Sequence, residues 1–359
     1  MSNHKPLVDI CCATYNHENF ISDAIEGFLK QITTFPFRVL IHDDASSDET
    51  ASIIKQYAEH NQNIIFPIYQ TVNQYSKGNY PIERILIPMA NSKYIALCEG
   101  DDYWIDPYKL QKQVDFLENN KGFVLVHTNF NHYNTETGRL IEQANNAHNQ
   151  YYRKYEKKIY NKKDLFIDIL HGQYFIKTCT SMFVSKKIKR ILNDDLTFFN
   201  GKFLMGDTFI FCELSQLGLV HYMPEVTAVA NKLIVSAKNN PNSFKRILFS
   251  KSLSELAMYL LQKHSFVDEY NLSIERHLDF ILENALRYDQ KRWIDDIKLK
   301  YKENIKFKHR VLILLSRKKV CRILVVAFID IFVKLPKRLL RKARRAVSLL
   351  FRSLFSRPQ

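Results

Sequence analysis

The sequence lacks the features that mark several special classes of protein. Its 359 residues include only 9 glycines and 10 prolines, while 46% of them are hydrophobic. A low content of glycine and proline, with ordinary apolar content, excludes a low-complexity or disordered chain. The chain is long enough to bury a sizeable core, and we expect two domains or one large domain with extensions.

Cysteines are few, and no Cys-x-x-Cys pair is present. The cysteines are Cys11, Cys12, Cys98, Cys179, Cys212 and Cys321. The neighbours Cys11 and Cys12 would point to opposite faces of a strand, which makes them poor disulfide partners. The pattern favours reduced, buried thiols in a cytosolic protein. A zinc site is not expected, because His127 and His132 have no second pair of suitable spacing.

Long apolar runs are missing as well. The longest, residues 323–333, is broken by Asp330 and is well short of the roughly 20 residues needed to span a bilayer. Residues 1–6 are polar and contain no apolar core of a signal peptide. We therefore expect a cytoplasmic protein, or one that is peripheral on the inner face of the cell membrane.

Positive charge is concentrated at one end of the chain. The formal net charge is +15, but residues 317–359 alone hold 13 Lys/Arg and one acidic residue, Asp330. Within 339–354, leucine, valine, alanine and phenylalanine recur at helical spacing beside these cations. This pattern is typical of a helix lying on an anionic membrane surface, although a helix packed on the body of the protein is the alternative. No nucleic-acid partner is expected, because the aromatic residues lie with the leucines and not between arginines.

Five short apolar runs in the first 130 residues alternate with segments of helical periodicity. We interpret these runs as strands, at residues 7–12, 37–41, 64–69, 94–98 and 123–127. The alternation predicts an α/β fold with a mainly parallel sheet flanked by helices. Ligands bind such sheets at the carboxyl ends of the strands, so the residues that follow each strand are candidate site residues.

Acidic residues follow the fourth predicted strand, in the segment Glu99-Gly100-Asp101-Asp102. Adjacent carboxylates repel each other, and leaving both ionised in a cleft is costly without a cation. Mg²⁺ or Mn²⁺ binds in proteins through one or two carboxylates together with substrate phosphates. Helix capping, the alternative role, is better assigned to Asp106, which directly precedes Pro107. Asp101 and Asp102 therefore predict a metal site.

Polar residues also follow the first two predicted strands. Asp44 comes directly after the second strand, where a carboxylate can accept hydrogen bonds from a ligand base. The segment Ser46-Ser47-Asp48 that follows is typical of a helix start. After the first strand comes Thr14-Tyr15-Asn16, whose tyrosine can either stack on a base or belong to the core.

Taken together, these motifs resemble the family 2 glycosyltransferases, which have a Rossmann-like GT-A fold. The segments that carry the resemblance are Ala13-Thr14-Tyr15-Asn16, Asp43-Asp44-Ala45-Ser46-Ser47-Asp48, Glu99-Gly100-Asp101-Asp102 and Met205-Gly206-Asp207-Thr208. Their order and spacing agree with the family as well as their composition does. The resemblance extends over about residues 7–230.

The resemblance implies a nucleotide-sugar site. In this family the tyrosine after the first strand and the second aspartate after the second strand hold the base. The residues implied here are Tyr15, with its neighbours Thr14 and Asn16, and Asp44. Asp101 is expected near the ribose and the diphosphate.

The resemblance also implies a divalent cation, Mn²⁺ or Mg²⁺, at Glu99, Asp101 and Asp102, with Asp102 favoured as the direct ligand. Glu99 departs from the aspartate that is usual at its position, and it leaves open which carboxylate contacts the ion. Asp207, at the head of a helix, matches the catalytic base of the family. Its alternative role is that of a helix cap.

The implied organisation is a GT-A domain over 1–235, a helical extension over 236–316 and a basic amphipathic tail over 317–359. Within the domain, residues 1–128 form the nucleotide-sugar-binding half and residues 129–235 the acceptor half. The implied activity is inverting transfer of a sugar, from a donor expected to be UDP-linked, to a saccharide or lipid-linked saccharide in cell-surface polysaccharide synthesis. The alternatives are a nucleotide-sugar-binding protein without catalysis and a membrane-surface scaffold that acts through its tail.

Overall fold

The computed structural model describes residues 5–156, 160–195, 203–233 and 242–316, together with Val326. The chain divides into two compact units, residues 1–241 and residues 242–359. The first contains all the described strands, and the second contains helices. Among the described residues, no helix is both long enough and apolar enough to cross a membrane.

The described part of the first unit is built on one nine-stranded sheet. In chain order the strands are β1 (Val8–Thr14), β2 (Phe37–Asp43), β3 (Ile65–Tyr69), β4 (Tyr94–Leu97), β5 (Tyr103–Trp104), β6 (Phe123–Asn134), β7 (Arg139–Ile141), β8 (Met182–Val184) and β9 (Leu219–Lys232). Their spatial order is β3-β2-β1-β4-β8-β6-β9-β5, and β7 pairs with β6. Strands β1 to β4 are parallel, as predicted.

The far half of the sheet is mixed, which the sequence did not predict. Strand β8 is antiparallel to both β4 and β6, whereas β6 and β9 are parallel. Strand β9 lies in a segment to which we assigned no strand, and it contains Pro224. Its pairing with β6 shifts register around Thr128 and Asn129. Long-range pairing of this kind depends on the partner strand more than on local sequence preference.

Helices cover the sheet and supply the other half of the core. Those of the first unit are α1 (Ile21–Leu29), α2 (Thr50–His60), α3 (Ile87–Met89), α4 (Lys109–Asn119), α5 (Asn149–Lys154), α6 (Lys162–Leu170), α7 (Ser185–Asp194) and α8 (Gly206–Leu217). Helix α1 shows why they form, since its apolar residues recur every three or four positions on one buried face. A π-helical turn, Ile82–Leu86, leads into α3.

The core of the first unit lies between this sheet and its helices, and β1 runs through it with Val8, Ile10 and Cys12 fully buried. The five described cysteines are free and buried, as predicted. Burial raises the pKa of the Cys12, Cys98 and Cys179 thiols well above the usual range, so they are protonated packing groups. Cys321 lies outside the described residues.

The second unit is helical in its described part, which confirms the predicted extension as an element of the fold. Its helices are α9 (Ser243–Lys263), α10 (Val267–Arg287), α11 (Lys291–Lys300) and α12 (Phe307–Leu315). Asn242 begins α9 by accepting hydrogen bonds from the backbone N–H groups of Phe244 and Lys245. The unit has its own core around Leu278 and Leu282. The tail predicted over 317–359 lies outside the described residues apart from Val326.

Candidate active site

The three motifs predicted from the sequence lie together at the carboxyl edge of the parallel strands. The loop after β2 joins the loop after β1, because the Asp44 N–H donates to the Thr14 carbonyl at 3.0 Å. The segment after β4 joins from the other side, where the Gly100 N–H donates to the Ala13 carbonyl at 3.0 Å. Gly100 has no room for a side chain, because the Thr14 side chain packs against its Cα atom. The main chain thus fixes the three motifs relative to one another.

The loop after β1 contains the buried Thr14, the hydrogen-bonded Asn16 and, between them, the exposed Tyr15. Asn16 is in the left-handed region, with φ of 54°. Its N–H donates to Ser46 Oγ at 2.9 Å, and its Oδ1 accepts from the Ser47 N–H at 2.8 Å. Thr14 is buried, whereas the Tyr15 side chain is 45% exposed. Thr14 and Asn16 therefore shape the loop, and Tyr15 is the member free to meet a ligand.

Asp44 is almost fully buried, and its carboxylate is bound to the main chain of the loop after β3. Its Oδ1 accepts from the Gln74 N–H at 2.6 Å and its Oδ2 from the Tyr75 N–H at 3.0 Å. The side chain of Asn73 returns a hydrogen bond to the Asp44 carbonyl at 3.1 Å. Asp44 therefore anchors this loop at the site, and its contact with a nucleotide base stays a prediction.

Asp102 is the most enclosed of the three acidic residues after β4, with a side chain that is 1% exposed. Its Oδ1 accepts from the Asn231 N–H, on β9, at 2.8 Å. Its Oδ2 lies 3.0 Å from Nζ of Lys177. Oδ1 thus accepts a hydrogen bond, whereas the buried Oδ2 accepts none from a described residue and is held by the charge of Lys177. Direct ligation of an ion by Asp102 would require Lys177 to move. Direct ligation by Asp102 was the prediction from the sequence, and this ion pair is the reason why the proposal below assigns the ion to Glu99 and Asp101.

Glu99 and Asp101 have fewer partners and an excess of negative charge. Burial raises the pKa of Glu99 to about 8; the charge of Lys177 opposes this rise, and the charges of Asp102 and Asp101 add to it. Burial, and then the charge of Asp102, raises the pKa of Asp101 to about 7. The Glu99 Oε2 atom is buried and accepts no hydrogen bond from the residues that the structure describes. Such an orphaned, electron-rich oxygen fits a cation.

The donor set fits a divalent ion that is completed by its substrate. Among the described residues, no three His, Cys, Asp or Glu side chains are arranged to hold an ion by themselves. Mg²⁺ and Mn²⁺ sites at phosphoryl groups use one or two carboxylates, and phosphate oxygens and water supply the other ligands. Glu99 and Asp101 meet that requirement.

Asp207 is the second residue of α8 and is half-buried. The N-cap of α8 is Met205, and Asp207 lies in the first turn, where its Oδ1 accepts from the Thr208 N–H at 2.7 Å. Glu83 lies against Gly206, the residue before Asp207. The charge of Asp207 adds to the rise that burial causes in the pKa of Glu83 and of Tyr75. A local role at the helix terminus and a role as base are compatible, and the catalytic role stays a prediction.

Two residues at the site escaped the sequence analysis, Glu83 and Lys177. Glu83 is 5% exposed on the π-helical turn and lies against Gly206, at the start of α8. Burial raises its pKa to about 7, and the charges of Asp207 and Glu99 add to the rise. A π-helical turn often marks a functional site, but it has no signature in a single sequence. Lys177 directly precedes the turn at Thr178–Thr180, and nothing near it in sequence indicates its partner Asp102.

The sequence profile of Glycosyl transferase family 2 matches residues 9–188. This is half of the chain, and the chain belongs to that family. The structure of S. aureus TarS in complex with UDP-GlcNAc superposes with a TM-score of 0.53 at 14% identity, covering 88% of this chain and 87% of that one. The likeness shows that the two share a fold, and it confirms the predicted GT-A class.

Relatives identified by sequence match a shorter part of the chain. Protein Rv1520 of Mycobacterium tuberculosis, which is uncharacterized, is 42% identical over 111 residues, or 31% of each chain. The Escherichia coli protein WfaP, a UDP-Glc:alpha-D-GlcNAc-diphosphoundecaprenol beta-1,3-glucosyltransferase, is 32% identical over 117 residues, which are 33% of this chain and 43% of WfaP. The match therefore spans less than half the length of either relative.

Proposed function

We propose that the chain transfers a sugar from a nucleotide-sugar donor to an acceptor hydroxyl. The observation that carries the proposal is the meeting of a nucleotide-side loop, an acidic segment and a helix-borne carboxylate in one place. Glu83 connects the acidic segment with the helix-borne carboxylate, because the charges of Glu99 and Asp207 both add to the rise that burial causes in its pKa. Asp44 connects the nucleotide-side loop to the same place, because the loop that it anchors includes Tyr75. The charge of Asp207 is one of the causes that raise the pKa of Tyr75, after burial and the charge of Glu83.

The donor we propose is UDP-linked and the acceptor a saccharide or a lipid-linked saccharide. WfaP is named for a UDP-Glc donor and a diphosphoundecaprenol acceptor, and TarS binds UDP-GlcNAc. Tyr15 is exposed, and its neighbour Thr14 accepts a hydrogen bond from the N–H of the buried Asp44, so a uracil ring can stack on the phenol at this end of the site. The diphosphate then extends toward Asp101.

Glu99 and Asp101 would hold a divalent ion, Mn²⁺ or Mg²⁺, together with the donor diphosphate. An ion held there would neutralise charge on the departing diphosphate and so would lower the barrier to its release. The carboxyl groups of this chain supply the negative charge that attracts the ion. Asp102 contributes indirectly, because its Oδ1 accepts from the Asn231 N–H. The Asn231 side chain also donates to the Asp101 carbonyl, and the two hydrogen bonds hold β9 beside the site.

Asp207 is the proposed catalytic base. The acceptor hydroxyl oxygen attacks the anomeric carbon on the face opposite to the diphosphate, and the bond from that carbon to the diphosphate oxygen breaks. The hydroxyl proton passes to Asp207 as the new bond forms, which an ordinary carboxylate can accept at that stage. A single displacement of this kind inverts the configuration at the anomeric carbon.

We also propose that the protein works at the inner, anionic face of the cell membrane. The basic tail over 317–359 supports this proposal. A second support is the exposed surface of α12, the helix that comes directly before the tail in the chain. On α12, Phe307 is 74% and Leu314 50% exposed, and Arg310 lies between them on the same helix face. A cavity of about 480 Å³ beside Arg310 and Leu314 is also lined by Lys298 and Lys302.

The charges around α12 divide into two groups. Lys306 and Lys308 form ion pairs with Glu275 of α10 at 2.6 and 3.0 Å. Arg310 and Lys302, which line the same cavity as the exposed Leu314, form no ion pair with any described residue. Unpaired cations beside exposed apolar side chains match the chemistry of an anionic phospholipid surface, to which each cation contributes about 1 kcal/mol.

A panel of nucleotide-sugars tests the proposal. The chain is incubated with each donor in Mn²⁺, with and without EDTA, and release of the nucleoside diphosphate is measured together with the thermal shift. We expect one UDP-sugar to stabilise the fold and to turn over, and EDTA to abolish turnover. Stabilisation without turnover in the presence of acceptor saccharides would favour a binding protein, and turnover undiminished in EDTA would refute the metal.

A further inference from the structure

Lys177 places a fixed ammonium group inside the acidic segment of the site. Its Nζ lies 3.0 Å from Asp102 Oδ2, and its side chain is only 28% exposed. Its main chain is held as well, because its carbonyl oxygen accepts from the N–H of Thr180 at 3.0 Å and from Thr180 Oγ1 at 2.7 Å. The ammonium is therefore part of the built site and is not a flexible surface charge.

Negatively charged groups surround this ammonium. Burial alone would lower the pKa of Lys177, but the negative groups around it, with Asp102 first and Glu99 and Asp101 further away, raise the pKa well above its usual value. Burial lowers the pKa of His132, and the positive charges of Lys177 and Lys232 lower it further. Lys232 is therefore a second cation near this segment.

Three carboxyl groups therefore meet one ammonium. Lys177 forms its ion pair with Asp102, and the buried Oε2 of Glu99 accepts no hydrogen bond from any described residue, so the carboxyl groups of this segment outnumber its cation. A divalent ion would balance this excess, but it would also be repelled by the ammonium a short distance away. A diphosphate beside the ion would be attracted by both cations.

We infer that Lys177 is a resident cation of the donor site that keeps Asp102 from the divalent ion and binds the donor diphosphate. It weakens binding of the free ion and strengthens binding of the nucleotide, so that ion and donor bind together. The inference rests on the proposed function, because it takes the ion and the diphosphate as the ligands of this site.

The direct test replaces Lys177 and measures binding without turnover. The Mn²⁺ affinity of the protein alone is measured from the electron paramagnetic resonance signal of free Mn²⁺, and the UDP affinity by calorimetry at saturating Mn²⁺. For Lys177→Met we expect Mn²⁺ to bind at least about tenfold more tightly and UDP at least about tenfold more weakly. Lys177→Arg, which keeps the charge, should change both by less than about threefold. Unchanged or weaker Mn²⁺ binding in Lys177→Met would overturn the inference.

Lys177→Met leaves the buried charge of Asp102 without its partner, which can destabilise the fold. A second variant avoids this problem. The double variant Asp102→Asn with Lys177→Met removes one charge of each sign and keeps an oxygen for the Asn231 N–H. We expect its Mn²⁺ affinity to stay within about threefold of wild type and its UDP affinity to fall by about tenfold. Loss of Mn²⁺ binding would show that Asp102 is itself a ligand and would overturn the inference.

The two proposals can fail separately in these measurements. A protein that binds Mn²⁺ and UDP as described but releases no nucleoside diphosphate with any donor would refute sugar transfer and leave the role of Lys177 standing. A protein that releases nucleoside diphosphate from a donor, but whose Lys177→Met variant keeps wild-type affinities for Mn²⁺ and UDP, would support sugar transfer and refute the role of Lys177.

Discussion

Oε1 of Glu83 fills the place that a Cβ atom would take on Gly206. Glu83 lies on the π-helical turn before α3, and Gly206 is the first residue of α8, directly before Asp207. The position of the proposed base is therefore set by a contact between a buried carboxyl group and a residue without a side chain.

Adding a methyl group at Gly206 should displace this contact. We expect Gly206→Ala to destabilise the fold by about 1–3 kcal/mol, as overpacking of a closed site does. Glu83→Ala removes the group that the methyl meets, so the double variant should recover part of that loss. Urea unfolding of the four proteins gives the coupling between the two positions, and strictly additive losses would show that the contact does not constrain α8.

The loop anchored by Asp44 should loosen when its acceptor is weakened. Asp44→Asn replaces one carboxylate oxygen with an amide that cannot accept, so one of the two N–H groups of Gln74 and Tyr75 loses its partner. Loss of a hydrogen bond to a charged group costs about 1.5–3 kcal/mol. We expect hydrogen exchange at these two amides to accelerate by about tenfold or more. Asp115→Asn, at an exposed position on α4, should leave both rates unchanged.

Lys109 is a buried cation, and we expect its charge to lower the stability of the fold. It is fully buried, stands 4.2 Å from the centre of the Trp104 ring and donates to Gln113 Oε1 at 2.8 Å. Burial lowers its pKa from 10.5 to about 8, which corresponds to about 3 kcal/mol. We expect Lys109→Met to raise the free energy of unfolding at pH 7 by about 1–3 kcal/mol, since some of the gain is lost at Gln113.

The pH dependence of that gain provides a sign test. Below pH 8 both the folded and the unfolded chain hold the proton on Lys109, so the full cost applies. Between pH 8 and 10.5 the folded chain releases this proton and the unfolded chain keeps it, so wild-type stability rises with pH. The advantage of Lys109→Met should shrink over this range. Lys55→Met, whose lysine side chain is 71% exposed, should show neither effect.

Membrane attachment should depend on the tail and on α12. We expect the full chain to sediment with phosphatidylglycerol vesicles but not with phosphatidylcholine vesicles. High salt should release part of it, because the Debye length falls from about 10 Å at 0.1 M to about 3 Å at 1 M, and detergent should release the rest. Replacing Phe307 and Leu314 by serine should reduce the fraction of protein that stays bound to the vesicles at high salt.

Deletion of 317–359 is the matching test of the tail. The shortened protein should stay soluble and act on a water-soluble acceptor, but work poorly on a lipid-linked one. Unfolding of the shortened protein would show that the tail belongs to the core. A full-length protein that ignores anionic vesicles at low salt would refute the attachment itself.

Sequence reasoning succeeded where the signal was local. The loops after β1, β2 and β4 each carry their motif within a few residues of a strand end, and parallel pairing brings strand ends to one edge whatever the rest of the chain does. The five strands predicted from apolar runs are all present, because a buried parallel strand is apolar along its whole length.

It failed where partners are far apart in the chain. Asp102 is held by Asn231, 129 positions away, and by Lys177, 75 positions away in the opposite half of the unit. Neither residue stands out locally, since asparagine in a strand and one lysine among 52 Lys/Arg are unremarkable. Strand β9, which carries Asn231, was itself missed because its register is set by β6.

The most direct test of the account is the rate of nucleoside diphosphate release by Asp207→Asn, measured with the active donor and acceptor beside the donor affinity. Asparagine keeps the shape and an oxygen for the Thr208 N–H, but it cannot take the acceptor proton. We predict that kcat falls by about 10²–10⁴ while the donor Kd stays within about twofold. The matched control Asp164→Asn, in the first turn of α6, should leave kcat unchanged. Retention of more than about a tenth of the wild-type kcat by Asp207→Asn would contradict the account and leave Asp207 with its local role at the helix terminus.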